Sequence, residues 1–484
     1  MTLKEASVLM GARLSGPADA TFEDIVYDTR HVSEGALFFC IMGRHFDGHE
    51  LAQEAVGRGA RGLVVSRLLD IGVPQLLVDD SRVAMERFAA KFFDEPSAKM
   101  KMFGVTGTNG KTTTAFMADS IFRATGEPSG LLGTVVTRVA DEEWESTRTT
   151  PETIDLQRTL AAMVDAKVTH VAMEVSSEGI AQGRLRGTRF ELMAFTNLSQ
   201  DHLDFHGDME SYFAAKALAF APSMTSAAVV NIDDAWGRRL VEEIEVGVTT
   251  VSTAGPADFV AREVKMWSHG SSFRVTGDGM DLGLRLGIPG HFNISNALVA
   301  AVSAHRMGIQ SGDIRTGLAS LDGVPGRFEP VVAGQPFSVV VDYAHTPDSL
   351  INVLRAARQQ VDGRVIVVIG CGGDRDKTKR PLMGKAAVDN ADLAIITSDN
   401  PRSEEPASII EQIEAGLVGA KKGSFRSIVD RDEAIHEAIA EAQDQDIVVI
   451  AGKGHETGQE FSDRKIPFDD RKVAARAIRE RFGR

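Results

Sequence analysis

The run Gly104-Val105-Thr106-Gly107-Thr108-Asn109-Gly110-Lys111-Thr112-Thr113-Thr114 has the residue types and spacing of a loop that cradles phosphate. Glycines let backbone N–H groups turn toward phosphate oxygens. Lys111 supplies a full positive charge, and the start of a helix adds a partial one. A hydroxyl after the lysine, Thr112 or Thr113, can reach a magnesium ion. The loop departs from the usual pattern, because Val105 stands where a glycine is expected five positions before Gly110. Gly104 and Gly107 flank that valine. Such a loop serves the handling of ATP or GTP.

Other chemistry-bearing residues follow apolar runs. Glu174 ends Val171-Ala172-Met173-Glu174, which would set a carboxylate beside the phosphate loop, where nucleotide enzymes keep an acid for magnesium. Beyond the next apolar run lies Asn197-Leu198-Ser199-Gln200-Asp201-His202-Leu203-Asp204-Phe205-His206-Gly207. Taken alone, its histidines and aspartates fit a metal-dependent hydrolase, or equally a polar loop capping a helix. Further polar endings are Asp342-Tyr343-Ala344-His345, Gly370-Cys371-Gly372-Gly373-Asp374-Arg375, Asp399-Asn400-Pro401-Arg402 and Gly452-Lys453-Gly454-His455-Glu456. That is more polar chemistry than turns require, and it marks a ligand site.

The elements that position these residues read as α/β throughout. Met102-Phe103 predicts a strand before the phosphate loop, and Ala115–Phe122 a helix after it. A first block to about residue 98 has apolar runs at 35–42 and 61–65. The next carries buried strands at 168–175, 192–197 and 227–231, then alternating segments at 272–275 and 282–286 that fit antiparallel edge strands. From about Pro330, strands at 337–341, 364–369, 393–397 and 447–451 alternate with helices such as 347–358 and 434–442. This alternation means a mostly parallel sheet covered on both faces, with ligands beyond the carboxyl ends of its strands.

Composition agrees with a globular enzyme. A chain of 484 residues exceeds one core, and its 43% hydrophobic and 25% charged content are ordinary. The formal charge of −15 argues against nucleic acid or an anionic membrane as partner. Two distant cysteines, Cys40 and Cys371, suggest no disulfide framework, so a reducing compartment is expected. The first residues start no signal-peptide core, and no run approaches a membrane span, so a cytoplasmic protein is expected.

Over nearly its whole length the chain resembles the Mur ligases of peptidoglycan synthesis. The resemblance rests on 106–114, Thr149-Thr150-Pro151-Glu152, 173–177, 197–207, Gly290–Ala297, Pro325-Gly326-Arg327-Phe328-Glu329 and the strand endings above. It implies three domains: a uridine-nucleotide-binding domain at 1–98, a central ATPase domain with a parallel sheet at 99–329, and a Rossmann-like amino-acid-binding domain at 330–484. It also implies a monomeric ATP-dependent ligase without membrane insertion. In that chemistry a carboxylate of a UDP-N-acetylmuramoyl dipeptide becomes an acyl phosphate, and the amine of an incoming amino acid displaces phosphate.

The resemblance carries over to individual residues. Gly107, Thr108, Asn109, Gly110, Lys111, Thr112, Thr113, Asn293, Asn296, Arg327 and Asp342 would hold ATP. Lys111, His202, Lys216 and Arg327 would be catalytic. Magnesium would be bound by Thr112, Glu174, His202 and Lys216, the last as an N6-carboxylysine whose carbamate offers hard oxygens. Thr29, His45, Thr149, Thr150, Ser176 and Arg184 would hold the UDP-peptide. Arg375, Asp399, Asn400, Pro401, Arg402, Gly452 and Glu456 would hold the amino acid. The Asp-Asn-Pro-Arg segment resembles that of members adding meso-diaminopimelate, with lysine or another diamino acid the alternative. One position departs from the family, which has His where this chain has Glu178, so no role passes to residue 178. Another Mur-type ligase or a folylpolyglutamate synthase, a P-loop ATPase or GTPase switch, and a hydrolase built on His202 and His206 are the competing readings.

Overall fold

A computed structural model describes residues 1–43, 46–267, 270–417, 419 and 424–483. The chain divides into two compact units. The first comprises Met1–Met102, Pro128–Glu191 and Ser223–Thr225, and the second Phe103–Glu127, Leu192–Pro222 and Ser226–Arg484.

In the first unit, five strands are ordered Arg13–Ser15, Gln75–Leu77, Gly62–Val65, Ala36–Phe39, Asp24–Val26. The first pair is antiparallel and the rest parallel. Ala36–Phe39 is buried along its whole length, as a strand covered on both faces must be. Its Leu37 and Phe39 pack with Phe22, Met85 and Phe88, while Ala36 and Phe38 pack with Ala52, Ala55 and Leu63. The same unit pairs strand His170–Glu174 in parallel with Ser129–Leu132.

The second unit holds the phosphate loop, two large sheets and the small antiparallel pair Gly458–Glu460 and Lys465–Pro467. In one, strand Lys101–Thr106, from Phe103 onward, is followed by Leu192–Phe195, Ala227–Asn231, Gly247–Ser252, Phe259–Trp267, Gly270–Gly277 and Met280–Leu286. The last two pairings are antiparallel. The other is ordered Glu329–Pro330, Ser338–Asp342, Ile447–Ala451, Val365–Ile369, Leu393–Ile396, Phe425–Ser427, all parallel after the first pair.

Strand Val365–Ile369 shows how sequence fixes the layers of this sheet. Val365, Val367 and Ile369 pack with Leu350, Leu354 and Met383 of helices Pro347–Arg358 and Lys379–Asn390. Ile366 and Val368 pack with Ile435, Ile439 and Ile478 of helices Arg431–Glu441 and Asp470–Phe482. Alternate side chains thus face opposite helical layers, each buried Val or Ile contributing about 1.5–3 kcal/mol. The polar residues after each strand are thereby gathered at one end of the sheet. Among the described residues, no helix is long and apolar enough to cross a membrane.

The expected strands at 227–231 and 447–451 and the helix at 347–358 occur with those bounds. Others shift by a residue or more: the strand read at 337–341 runs Ser338–Asp342, which brings Asp342 inside it. Strand Phe259–Trp267 was not read, because its exposed Arg262, Glu263 and Lys265 break the apolar alternation.

Candidate active site

In the second unit, helix Lys111–Ala124 starts directly after the glycine turn, with Gly110 as its N-cap at φ +87°. A Cβ at Gly110 would lie 2.3 Å from Asn296 Oδ1, and one at Gly107 would lie 2.0 Å from Thr196 Oγ1. Only glycine fits there. The loop is braced from the segment after strand Leu192–Phe195. Thr196 Oγ1 donates to Asn109 O at 2.6 Å, and Asn109 N donates to Asn197 Oδ1 at 2.9 Å. Thr108 Oγ1 reaches Ser199 O at 3.1 Å. Lys111 curls over this cradle, its Nζ donating to the carbonyls of Gly107 at 2.9 Å and Thr108 at 2.8 Å.

Further sequence-predicted ATP residues adjoin the loop or one another. Asn296 abuts Gly110 and donates to Asn293 Oδ1 at 3.3 Å. Arg327 Nη2 donates to Thr112 Oγ1 at 2.9 Å. Thr113 is buried in the first turn of the helix. Asp342 is placed differently. Its two oxygens accept from the backbone N–H groups of Phe328 and Ala344, each at 2.7 Å. Burial raises its pKa. Its visible work is to fix the turn that carries Arg327.

Lys216, on helix Met209–Ala217, is 1% exposed. Its Nζ donates to Gly107 O at 2.8 Å, and loss of hydration, with Lys111 adding repulsion, drives its pKa far below the ordinary lysine value. A neutral amine is the form that reacts with carbon dioxide. His202 has its pKa lowered by loss of hydration and by the charges of Lys111, His345 and Lys216, against the pull of Asp201. Its imidazole is therefore neutral at ordinary pH, as a metal ligand must be. Among the described residues no three His, Cys, Asp or Glu side chains form a metal cluster. A carbamate on Lys216 would supply the missing anionic donor, so the donor chemistry fits a hard divalent ion.

The first unit holds Glu174 and the residues expected to bind the UDP-peptide. Glu174 accepts from Thr134 N at 2.7 Å and Thr134 Oγ1 at 3.1 Å, which fixes its carboxylate. Thr149 Oγ1 meets Thr134 Oγ1 at 3.0 Å. Thr150 Oγ1 meets Ser176 Oγ at 3.0 Å, and Arg184 Nη1 donates to Thr150 O at 3.0 Å. Thr150 Oγ1 also donates to Glu174 O at 3.1 Å, so these six residues form one group. Arg184 also pairs with buried Glu152 at 3.1 Å, a carboxylate shared with Arg82 and Arg148. Thr29 is buried at the start of a short turn elsewhere in the unit, and His45 lies outside the described residues.

The amino-acid residues converge on a cavity of about 150 Å3 in the second unit. Its lining includes Arg375, Asp399, Asn400, Arg402, Gly452 and Glu456, together with His202. Pro401 is not on the wall: its carbonyl packs so close to Gly373 that a Cβ there would lie 1.9 Å away. The cavity also exposes residues that sequence did not assign, among them Asp201, His345 and Lys379. Asp201 bonds to His345 Nε2 at 3.2 Å and Lys379 Nζ at 3.1 Å. Burial works against its ionisation, but these partners hold its pKa well below the ordinary value. Cys371 is no nucleophile, because burial pushes its thiol up to about 12.

Wholly buried Lys453 was also missed. Its signal was a lysine between two glycines directly after an apolar strand, but only the fold shows that Asn400 and Glu456 face it.

The profile of the Mur ligase middle domain matches residues 105–304, that of the Mur ligase glutamate ligase domain 326–454, and that of the Mur ligase family catalytic domain 21–93. A UDP-N-acetylmuramoyl-L-alanyl-D-glutamate–2,6-diaminopimelate ligase from Halalkalibacterium halodurans is 46% identical over 478 residues, 98% of each chain. The chain belongs to the Mur ligase family. A ligase of the same description from Geobacillus kaustophilus is 46% identical over 461 residues, 94% of each chain. A solved structure of such a ligase has a TM-score of 0.68 at 30% identity, covering 100% of this chain and 99% of that one. MurF from Acinetobacter baumannii, at 19% identity and a TM-score of 0.72, shares the Mur ligase fold, with 99% of this chain and 98% of that one covered. The three-domain α/β architecture and the ligase class expected from sequence are those of this family.

Proposed function

We propose that this Mur ligase joins meso-2,6-diaminopimelate to the D-glutamate of UDP-N-acetylmuramoyl-L-alanyl-D-glutamate, using ATP, in cytoplasmic peptidoglycan precursor synthesis. The observation that carries the substrate assignment is the cavity wall. Arg375 and Arg402 offer cations for a carboxylate, and Asp399 and Glu456 offer anions for an ammonium, on one surface. A side chain ending in both charges complements that wall, whereas one ending in an ammonium alone leaves arginine unpaired. The names of the relatives agree. Domains at 1–98, 99–329 and 330–484 belong to the same reading.

Joining a carboxylate to an amine requires activation, because carboxylate is a poor electrophile and its oxygen a poor leaving group. The substrate carboxylate attacks the γ-phosphorus of ATP, the bond to ADP breaks, and an acyl phosphate forms. The neutral amine then attacks the carbonyl carbon, loses a proton, and phosphate departs. The protein positions mutually repelling anions and offsets their charge. The Gly107–Gly110 cradle receives phosphate on its N–H groups, Lys111 swings from the loop carbonyls to phosphoryl oxygens, and Arg327 stabilises charge on the transferred group. Asn293 and Asn296 support the nucleotide. Thr149, Thr150, Ser176 and Arg184 form the peptide-binding surface, and binding of the uridine is assigned to Thr29 and, from sequence alone, His45. Thr112, Glu174, His202 and Lys216 as its carbamate would hold magnesium, which would neutralise phosphate charge.

The test is phosphate release with ATP, the UDP-muramoyl dipeptide and a panel of free amino acids. Release that needs both the dipeptide and meso-diaminopimelate is expected. Release without either would point to an ATPase switch.

A further inference from the structure

Lys453 follows strand Ile447–Ala451 and is 0% exposed. Its Nζ donates to Asn400 Oδ1 at 2.8 Å and to Glu456 Oε2 at 2.8 Å. Asn400 Oδ1 also accepts from Glu460 N at 3.1 Å. An ammonium and a backbone N–H can only donate, so the amide oxygen of Asn400 must face them. Its Nδ2 is turned the other way, donating to Glu456 Oε2 at 2.8 Å and keeping a second N–H on the same nitrogen. The orientation of this amide is thus fixed by two donors. Glu456 is fixed as well: among the described residues both of its side-chain hydrogen bonds fall on Oε2, which leaves Oε1 to accept. Asn400 and Glu456 both line the cavity. Behind them, Gln459 Nε2 donates to Asp399 O at 2.7 Å, so the segment cannot slide to satisfy Lys453 differently. Burial disfavours the Asp399 carboxylate, but Lys453 and Arg431 outweigh it and hold its pKa below the ordinary value.

We propose that Lys453 is the positioning residue that gives the amino-acid site its polarity, presenting Asn400 as a donor to a carboxylate and Glu456 as an acceptor for an ammonium. This rests on the diaminopimelate reading above. Lys453 does not touch the amino acid; it acts as a built-in cation that sets two residues which do. Without it the Asn400 oxygen keeps only the Glu460 N–H as a donor, which weakens the bias that keeps that oxygen away from the cavity, where it would repel a carboxylate. Asp399 and Glu456 would also face each other with less opposing charge. The terminal carboxylate distinguishes diaminopimelate from lysine, so loss of Lys453 weakens that distinction.

Lys453→Met and Lys453→Gln, the second keeping a polar end without charge, are made in the full chain and compared with wild type by steady-state phosphate release. The expected result is a KM for meso-diaminopimelate raised at least about tenfold, with KM for ATP unchanged and the preference over L-lysine reduced. Lys453→Arg, which keeps the charge, should restore part of the loss. A merely structural role would lower the melting temperature and active fraction without moving KM or the preference. Either folded variant with wild-type KM for meso-diaminopimelate and wild-type preference would overturn the proposal. Wild-type protein that does not respond to meso-diaminopimelate would instead overturn the functional reading.

Discussion

Arg327 and Thr112 are 215 positions apart, yet the Arg327 guanidinium donates to the Thr112 hydroxyl at 2.9 Å. The guanidinium carbon also lies 4.5 Å from the centre of the Tyr343 ring. This links the end of the phosphate loop to the turn that leads into the C-terminal sheet. A planar cation clamped between a ring and a hydroxyl is aimed at the phosphate cradle before any nucleotide arrives.

Replacing Arg327 with Ala should therefore lower kcat about 10²–10³-fold, because charge on the transferred phosphoryl group loses a preorganised donor. Lysine should rescue little, since it can neither stack nor donate as a fork. Steady-state kinetics with varied ATP checks this, and a variant changed only in KM for ATP would assign Arg327 to ground-state binding.

The burial of Lys216, which makes its ammonium proton easier to lose, leads to a second expectation. Lys216→Ala should be nearly inactive, and acetate or formate should partly restore turnover by filling the vacated carboxylate position. Intact mass under bicarbonate should show an added carboxyl on wild type and not on the variant. An unmodified lysine in active protein would remove the carbamate from the mechanism.

The phosphate loop and the doubly covered C-terminal sheet were legible because each is a local pattern, whereas the residues assigned to the amino acid came from the family resemblance, and all of them but Pro401 line the cavity. A glycine turn, an apolar run and a polar strand ending are all read within a few residues. What sequence could not show was assigned by long-range geometry. Lys453 and Lys379 are lysines like any other until the fold buries them against Asn400 and Asp201. Asp342 matched a nucleotide position by motif, and only the fold shows that its oxygens also accept from the Phe328 and Ala344 N–H groups.

A third expectation concerns acid stability. Arg380, 0% exposed, donates to both oxygens of Glu404 at 3.0 and 2.9 Å, and Glu404 also accepts from Asp374 N at 2.7 Å. Hydrogen bonding to Arg380 is the main cause that lowers the Glu404 pKa to about 2 from 4.5. A carboxyl depressed in the folded state stabilises fully above its unfolded pKa, and that stability is lost as pH falls through the folded value. Glu404→Ala leaves buried Arg380 without its counter-ion, bonded only to the neutral Gln412 Oε1 and Gly372 O, and should cost about 3–5 kcal/mol at neutral pH. The gap to wild type should narrow between about pH 4.5 and 2 in denaturant titrations. A gap independent of pH would show that packing rather than charge is lost.

The last expectation is the choice of amino acid. Arg402 sits at φ +50°, a left-handed backbone that Pro401 and the Arg402 N to Glu460 O bond of 3.0 Å hold in place. Its side chain is steered from two sides, Nη1 donating to Gly373 O at 2.8 Å and Nε to Glu460 Oε2 at 3.2 Å. The guanidinium still borders the cavity and can grip a carboxylate with its remaining N–H groups. Meso-diaminopimelate carries that carboxylate, and lysine does not. A charge-assisted contact of this kind contributes roughly 1.5–3 kcal/mol. Lysine would in addition leave the cavity-facing N–H groups of Arg402 without an acceptor, so the preference for diaminopimelate should exceed about a thousandfold in kcat/KM. Arg402→Ala should collapse it, chiefly by raising KM for diaminopimelate while lysine turnover stays low. Competing both amino acids in one reaction and resolving the products by mass reads the ratio directly. Comparable lysine incorporation by wild type would overturn the diaminopimelate assignment and leave the chain a Mur ligase for another acceptor.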